Sequence, residues 1–308
     1  MSKPKPSGTP APVRALVTGL VDYAGLFPPA QLGMHDAMRN YAAYLGGPHA
    51  WMLGRFVLPV ARLAEFDASS AELLPRGEGS SPWMLAALAG ADLEADVQQA
   101  LKFNCRHWQG SEAGHAIIDT IELRAPSPFD PATTRASVPD FFTMYVEIPA
   151  ASDPGSKLDS IQQAGARAKI RMGGVTPDVF PAPDDVIAFI AGCVARGLPF
   201  KATAGLHHLL RSEYPLTYDG GSARATMYGF LNVFLAAAAL LQGAATNDAR
   251  DILMESDLNA FRFDDAGVTW RKRLLSTGDI SRARELATSY GSCSFVEPVD
   301  ELAAAGLI

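Results

Sequence analysis

Cysteine is scarce: the 308 residues hold three, Cys105, Cys193 and Cys293, far apart and with no C-x-x-C pair. A disulfide framework and a cysteine-built zinc site are therefore not expected, and a reducing, cytoplasmic setting is. Clustered basic charge is missing as well. With a formal net charge of -7, the chain lacks the positive surface that a nucleic-acid partner requires. No G-x-G-x-x-G opens the first helix, so a dinucleotide cofactor has no sequence support, and no other cofactor is expected. Neither H-x-H nor H-E-x-x-H spacing occurs, so no resident metal is assigned. The most apolar run, "GFLNVFLAAAALL" from Gly229 to Leu241, falls short of the roughly 20 residues that span a bilayer and contains Asn232. It reads as a buried helix, and no membrane partner is expected.

The first residues, "MSKPKPSGTPAP", have no apolar signal region, which predicts a flexible tail over residues 1–14. Residues 15–308 then form one domain. Within it, short apolar runs alternate with amphipathic stretches in about eight units, the pattern of stacked βα repeats. Seven strands are predicted: Leu16–Gly25, Trp51–Pro59, Pro82–Gly90, His115–Ala125, Phe141–Pro149, Ala168–Gly174 and Pro199–Leu206. An eighth is read in "GSCSFVEP" (Gly291–Pro298), after a helix "DISRARELATSY"; the alternative is a hairpin in "AFRFDDAGVTW". The helix "PDDVIAFIAGCVARG" is the most clearly marked, with Pro183 at its first turn, Asp184 and Asp185 beside it and Gly197 as its stop. Another runs through "ARATMYGFLNVFLAAAALLQGA". The fold class is thus α/β, a single-domain (β/α)8 barrel, with an open doubly wound sheet as the alternative.

Barrel enzymes work at the C-terminal ends of their strands. Those ends carry Asp22, Arg55, Glu122, Arg124, Tyr145, Glu147, Lys169, Arg171, Lys201 and His207. On strands four to seven the ionisable residues alternate with Ile121 and Leu123, Val146 and Ile148, Ile170 and Met172, and Phe200 and Ala202. Period two places the first set on one face and the hydrocarbon on the other. Ions buried in a barrel need partners or a ligand. A purely structural charge network is one reading. A site is the other, with Lys169 and Lys201 as amines, one activated by its cationic neighbours, and Glu122 and Glu147 moving protons. Tyr145, Asp22, Arg55, Arg171 and His207 would contact substrate. Gly173-Gly174 and Ala204-Gly205 would let backbone N–H groups approach an anion, a phosphate or a carboxylate. "DYAGLFPPA" would wall the pocket, and Cys293 reads as a small buried side chain.

"AKIRMGG", followed about thirty residues later by "FKATAGLHH", resembles strands six and seven of class I aldolases of the deoxyribose-phosphate aldolase type. The resemblance implies a Schiff-base lysine at Lys169, a perturbing amine at Lys201 and a phosphate-contacting turn that includes Gly205. Arg171 stands where that pattern has a small residue, and His207-His208 depart from it. The expected function is action on a small anionic carbonyl compound, with a Schiff-base lyase as its most concrete form. A metal-assisted lyase or hydrolase using His207 and the acids is one alternative, and a non-catalytic small-molecule binding barrel is another. A homo-oligomer is left open.

Overall fold

A computed structural model describes residues 8–70, 72–108, 112–126 and 129–308. Thirteen strands occur among them: β1 Val21–Tyr23, β2 Leu53–Pro59, β3 Trp83–Leu88, β4 Ala116–Arg124, β5 Thr143–Ile148, β6 Arg167–Arg171, β7 Phe200–Thr203, β8 Ser212–Pro215, β9 Arg224–Met227, β10 Phe261–Asp264, β11 Gly267–Trp270, β12 Arg273–Ser276 and β13 Ala287–Ser292. Strands β1 to β7 and β13 close into an eight-stranded barrel in the order β1-β13-β7-β6-β5-β4-β3-β2, and every pairing in it is parallel. Helices lie between the strands in the alternating order of a single-domain (β/α)8 barrel.

The alternation on the central strands places hydrocarbon outward. Ile121, Val146, Ile148, Ile170, Met172, Phe200 and Ala202 are all buried against the helical layer. Two strand boundaries and the expected tail boundary are corrected. Leu16 and Val17 belong to a helix, α1 (Ala11–Val17), and the first strand begins only at Val21. Residues 11–14, expected in a flexible tail, therefore belong to the fold, since Pro12 and Val13 are buried within that helix; residues 1–7 of that expected tail lie outside the described residues. The eighth barrel strand is "ATSYGS", which takes the last residues of the segment read as helix. "AFRFDDAGVTW" does form a hairpin, Phe261 opposite Trp270, but it joins β12 in a separate three-stranded sheet.

The helix α2 is Met34–Leu45, followed by α3 Leu63–Ser69, α4 Leu93–Arg106, α5 Pro131–Ser137, α6 Gly155–Gln163, α7 Pro183–Arg196 and α8 Phe230–Leu241. The bounds of α7 are those read from Pro183 and Gly197, the latter at φ 58° as a left-handed cap needs. Helix α8 starts later than its apolar pattern suggests, because β9 and β8 pair as an antiparallel hairpin inserted after β7. From Phe230 to Leu240 every residue of α8 is buried. Asn232 is satisfied there: its amide donates to the carbonyls of Ile252 and Glu255, and its oxygen accepts from the Arg211 N–H. Among the described residues no helix is long and apolar enough to cross a membrane.

Candidate active site

The parallel register sets one row of side chains across four strands: Glu147 pairs with Lys169, Lys169 with Lys201, and Lys201 with Ser289. Adjacent strands lie about 4.8 Å apart, so equal parity brings two lysines side by side inside the barrel. Two ammonium groups about 4 Å apart repel by roughly 4 kcal/mol at an effective dielectric constant of 20. Glu122 removes that conflict. One of its oxygens lies 2.7 Å from Lys169 Nζ and the other 2.6 Å from Lys201 Nζ. Asp22 Oδ2 is a second partner for Lys201 at 2.6 Å, and Glu147 Oε2 a second partner for Lys169 at 3.0 Å. Asp22 is itself held by the Ser289 hydroxyl at 2.8 Å and by the backbone N–H of Arg55 at 2.8 Å.

The electrostatics follow from this chain of acid, amine, acid, amine and acid. Burial opposes the charge on Glu122, yet Lys169 and Lys201 hold its carboxyl well below the usual range. Burial likewise disfavours the Lys201 ammonium, but Asp22 and Glu122 keep it charged beyond an ordinary lysine. Glu147, also desolvated, is lowered by Lys169, Arg171 and Arg124. The expected activation of one amine by bare cationic repulsion is therefore corrected: a carboxylate stands between the two lysines.

A cavity of about 290 Å3 opens above this chain at the C-terminal ends of the strands. Lys169, Lys201, Glu122, Arg171, Gly174 and His207 line it. Val57, Leu88, Phe27 and Pro28 form its apolar wall, so "DYAGLFPPA" does supply part of the pocket. Glu147 borders the adjoining space with Lys169 and Arg171. Glu147 Oε1 lies 3.4 Å from Arg171 Nε and 3.7 Å from Arg124 Nε, and both guanidinium groups reach solvent at the mouth. The mouth is thus cationic although the whole chain is acidic.

Five assigned residues stand elsewhere. Asp22 is buried beneath Lys201, with its oxygens taken by Lys201, Ser289 and the Arg55 N–H, and does not line the cavity. Arg55 forms a two-pronged pair with Asp119, 2.6 Å at each contact, below the cavity and not in its lining. Tyr145 lies under Lys201, whose Nζ is 5.5 Å from the ring centroid, and its hydroxyl meets Thr288 Oγ1 at 2.8 Å. It positions the lysine and does not line the cavity. Gly173 and Gly205 are packing glycines: a Cβ on Gly173 would fall 2.3 Å from the Phe180 ring, and one on Gly205 2.8 Å from the Gly173 Cα. Of the small-residue turns, Gly174 and Ala204 reach the cavity. Ala204 does so at φ 57°, a left-handed conformation that costs a non-glycine residue about 1 kcal/mol.

Two residues of the site, Ser289 and Arg124, and one that anchors Arg55 beneath it, Asp119, gain their roles only from the structure. Ser289 carries no charge and sits on the misplaced eighth strand. Asp119 falls at a register shift, between the pairs Leu85–Ile118 and Ala86–Thr120, which breaks the parity count. Arg124 is a strand-end charge in the sequence, and the structure gives it a place at the cavity mouth beside Glu147. Cys293 is buried, as its context suggested, and also lines the cavity.

Among the described residues no three His, Cys, Asp or Glu side chains are arranged to hold a metal ion. The acids that would have completed a site with His207 are bonded to lysines instead. Compared with protein-family models and with curated proteins, the chain matches none.

Proposed function

We propose that this barrel is a lyase that forms a Schiff base between Lys169 and a small carbonyl compound bearing a phosphate or carboxylate group. The observation that carries the reading is the Lys169–Glu122–Lys201 chain on the floor of a cavity with a cationic mouth. A network of structural ions has no need of a cavity above it, whereas an amine nucleophile does.

Lys169 is the favoured nucleophile because Lys201 is enclosed by Asp22, Glu122 and Ser289 and held as an ammonium. Lys169 has carboxylates on two sides, and Glu147, the one nearer the mouth, would relay its proton out to solvent while Glu122 stays ionised between the two lysines. The free amine then attacks the carbonyl carbon. The carbonyl oxygen takes a proton as the carbinolamine forms, and a second proton lets it leave as water, yielding the iminium. Lys201 supplies fixed positive charge beside the departing oxygen, the kind of preorganised stabilisation that needs no reorganisation during reaction. Arg171 and Arg124 would receive the anionic group through charge-assisted hydrogen bonds. The resemblance to aldolases of the deoxyribose-phosphate aldolase type points to the same lysine.

Borohydride added with a small oxo acid or a phosphorylated aldehyde tests this reading. Irreversible loss of activity and a mass gain equal to the reduced adduct are expected, and Lys169→Arg should be inactive and take no adduct. An unmodified, fully active protein would refute it.

A further inference from the structure

The lysine chemistry leaves one cavity group unused. His207 follows β7, is buried, and lines the cavity beside Cys293. Its Nδ1 lies 3.1 Å from Ser292 Oγ and 3.6 Å from Cys293 Sγ. The Ser292 hydroxyl donates to the carbonyl of Ser294 at 2.6 Å. A carbonyl can only accept, so the single hydroxyl proton of Ser292 is committed there and its lone pairs face the ring. The Ser292 contact thus calls for the hydrogen on Nδ1, which donates to Oγ with Cys293 Sγ beside it as a second, weaker acceptor. Glu297 Oε2, 3.9 Å from Nδ1, favours the same tautomer.

A neutral imidazole has one N–H, and burial together with His208 pushes His207 down to about 4. Nε2 is therefore a bare lone pair at neutral pH. It has no partner among the described residues and is not among the atoms sealed from solvent. The charged groups that share the cavity present the opposite face. Lys169, Lys201, Arg124 and Arg171 are donors, and both oxygens of Glu122 are occupied by lysines.

We infer that His207 Nε2 accepts a hydrogen bond from a substrate hydroxyl, which assigns the substrate to the β-hydroxy carbonyl compounds. The inference rests on the lysine reading for its chemistry. With the carbonyl carbon bound to Lys169 as an iminium, the hydroxyl proton passes to Nε2 and the C–O bond becomes C=O. The carbon–carbon bond breaks, and its electron pair flows into the iminium to give an enamine. No oxidant or further reactant is required. Ser292 acts as a positioning residue, since it sets which nitrogen is free.

The test uses the full-length, 15N-labelled protein and two probes of equal chain length, 4-hydroxy-2-oxopentanoate and 2-oxopentanoate. In the free protein, Nε2 of His207 is expected to resonate as a pyridine-type nitrogen and Nδ1 as a pyrrole-type one. Ser292→Ala, which keeps the ring, should shift the balance toward the other tautomer. The hydroxylated probe should move the Nε2 resonance at a concentration about tenfold lower than the deoxy probe, the discrimination expected of a site built for an O–H group. His207→Phe should bind the two probes equally. A pyrrole-type Nε2 in the free protein, an equal response to both probes, or no response to either overturns the inference. The expected tautomer and preference without a reducible adduct on Lys169 would support the role of His207 while removing the lysine reading.

Discussion

Lys169 and Lys201 stand opposite each other on neighbouring strands, yet each meets a different oxygen of the same carboxylate, Glu122, at 2.7 and 2.6 Å. The fold is thus committed to a buried ion chain in which no member can be neutralised without exposing another. Such chains rarely add much stability over hydrocarbon, but breaking one is severe because a buried charge is left unpaired.

Glu122→Gln keeps the shape and removes the central charge. A loss of about 3 kcal/mol in unfolding free energy is expected, within the range for breaking a buried pair, measured by urea denaturation at pH 7. An unchanged midpoint would mean that the lysines are not held as described.

Stability should fall on both sides of neutrality. Glu122 and Glu147 titrate lower in the fold than their ordinary 4.5. Their contribution is present above that value and lost as the pH falls through the folded one. Lys201 titrates above its ordinary 10.5, so its contribution is present below that value and lost as the pH rises through the folded one. His207, lowered from 6.5 to about 4, adds an earlier acid limb. Between those two values the unfolded chain binds the extra proton, which removes about 3 kcal/mol by pH 4. In His207→Asn the fall between pH 6.5 and 4 should flatten while the steeper loss below 4.5 remains. Denaturation midpoints measured from pH 3 to 11 in both proteins check this.

Arg55 separates structure from function. Its two contacts to Asp119 need a planar fork that lysine lacks. Arg55→Lys should cost about 1.5–3 kcal/mol, the worth of a hydrogen bond to a charged group, and leave KM for the substrate unchanged. A large rise in KM with stability intact would return Arg55 to the binding site.

What the sequence revealed and what it hid have a common cause. On β4 to β7, strict alternation over several residues made the inward acids and amines readable one by one, since parity alone decides the face of a strand. Parity fails at Asp119, where the register slips, and it says nothing of height, so Tyr145 and Arg55 read as mouth residues in the sequence but lie beneath the cavity. The short first and last barrel strands were blurred by helices that run almost into them. Helix α9 is Thr246–Met254, and α10, Thr277–Leu286, ends directly against Ala287 with no glycine or proline as a stop. The side chain of Arg284 satisfies carbonyls of Ala287 and Thr288 there, a cap that sequence periodicity does not register. The Ser292 contact that fixes His207 joins residues 85 apart, and only the closure of the barrel brings them together.

The proposed Schiff base forms on Lys169 and not on Lys201. Borohydride reduction in the presence of a small oxo acid, followed by proteolysis and mass mapping, addresses it directly. One reduced adduct is expected, on the peptide containing Lys169, persisting in Arg55→Lys and lost in Lys169→Arg. An adduct on Lys201, or none under conditions of full turnover, would contradict it.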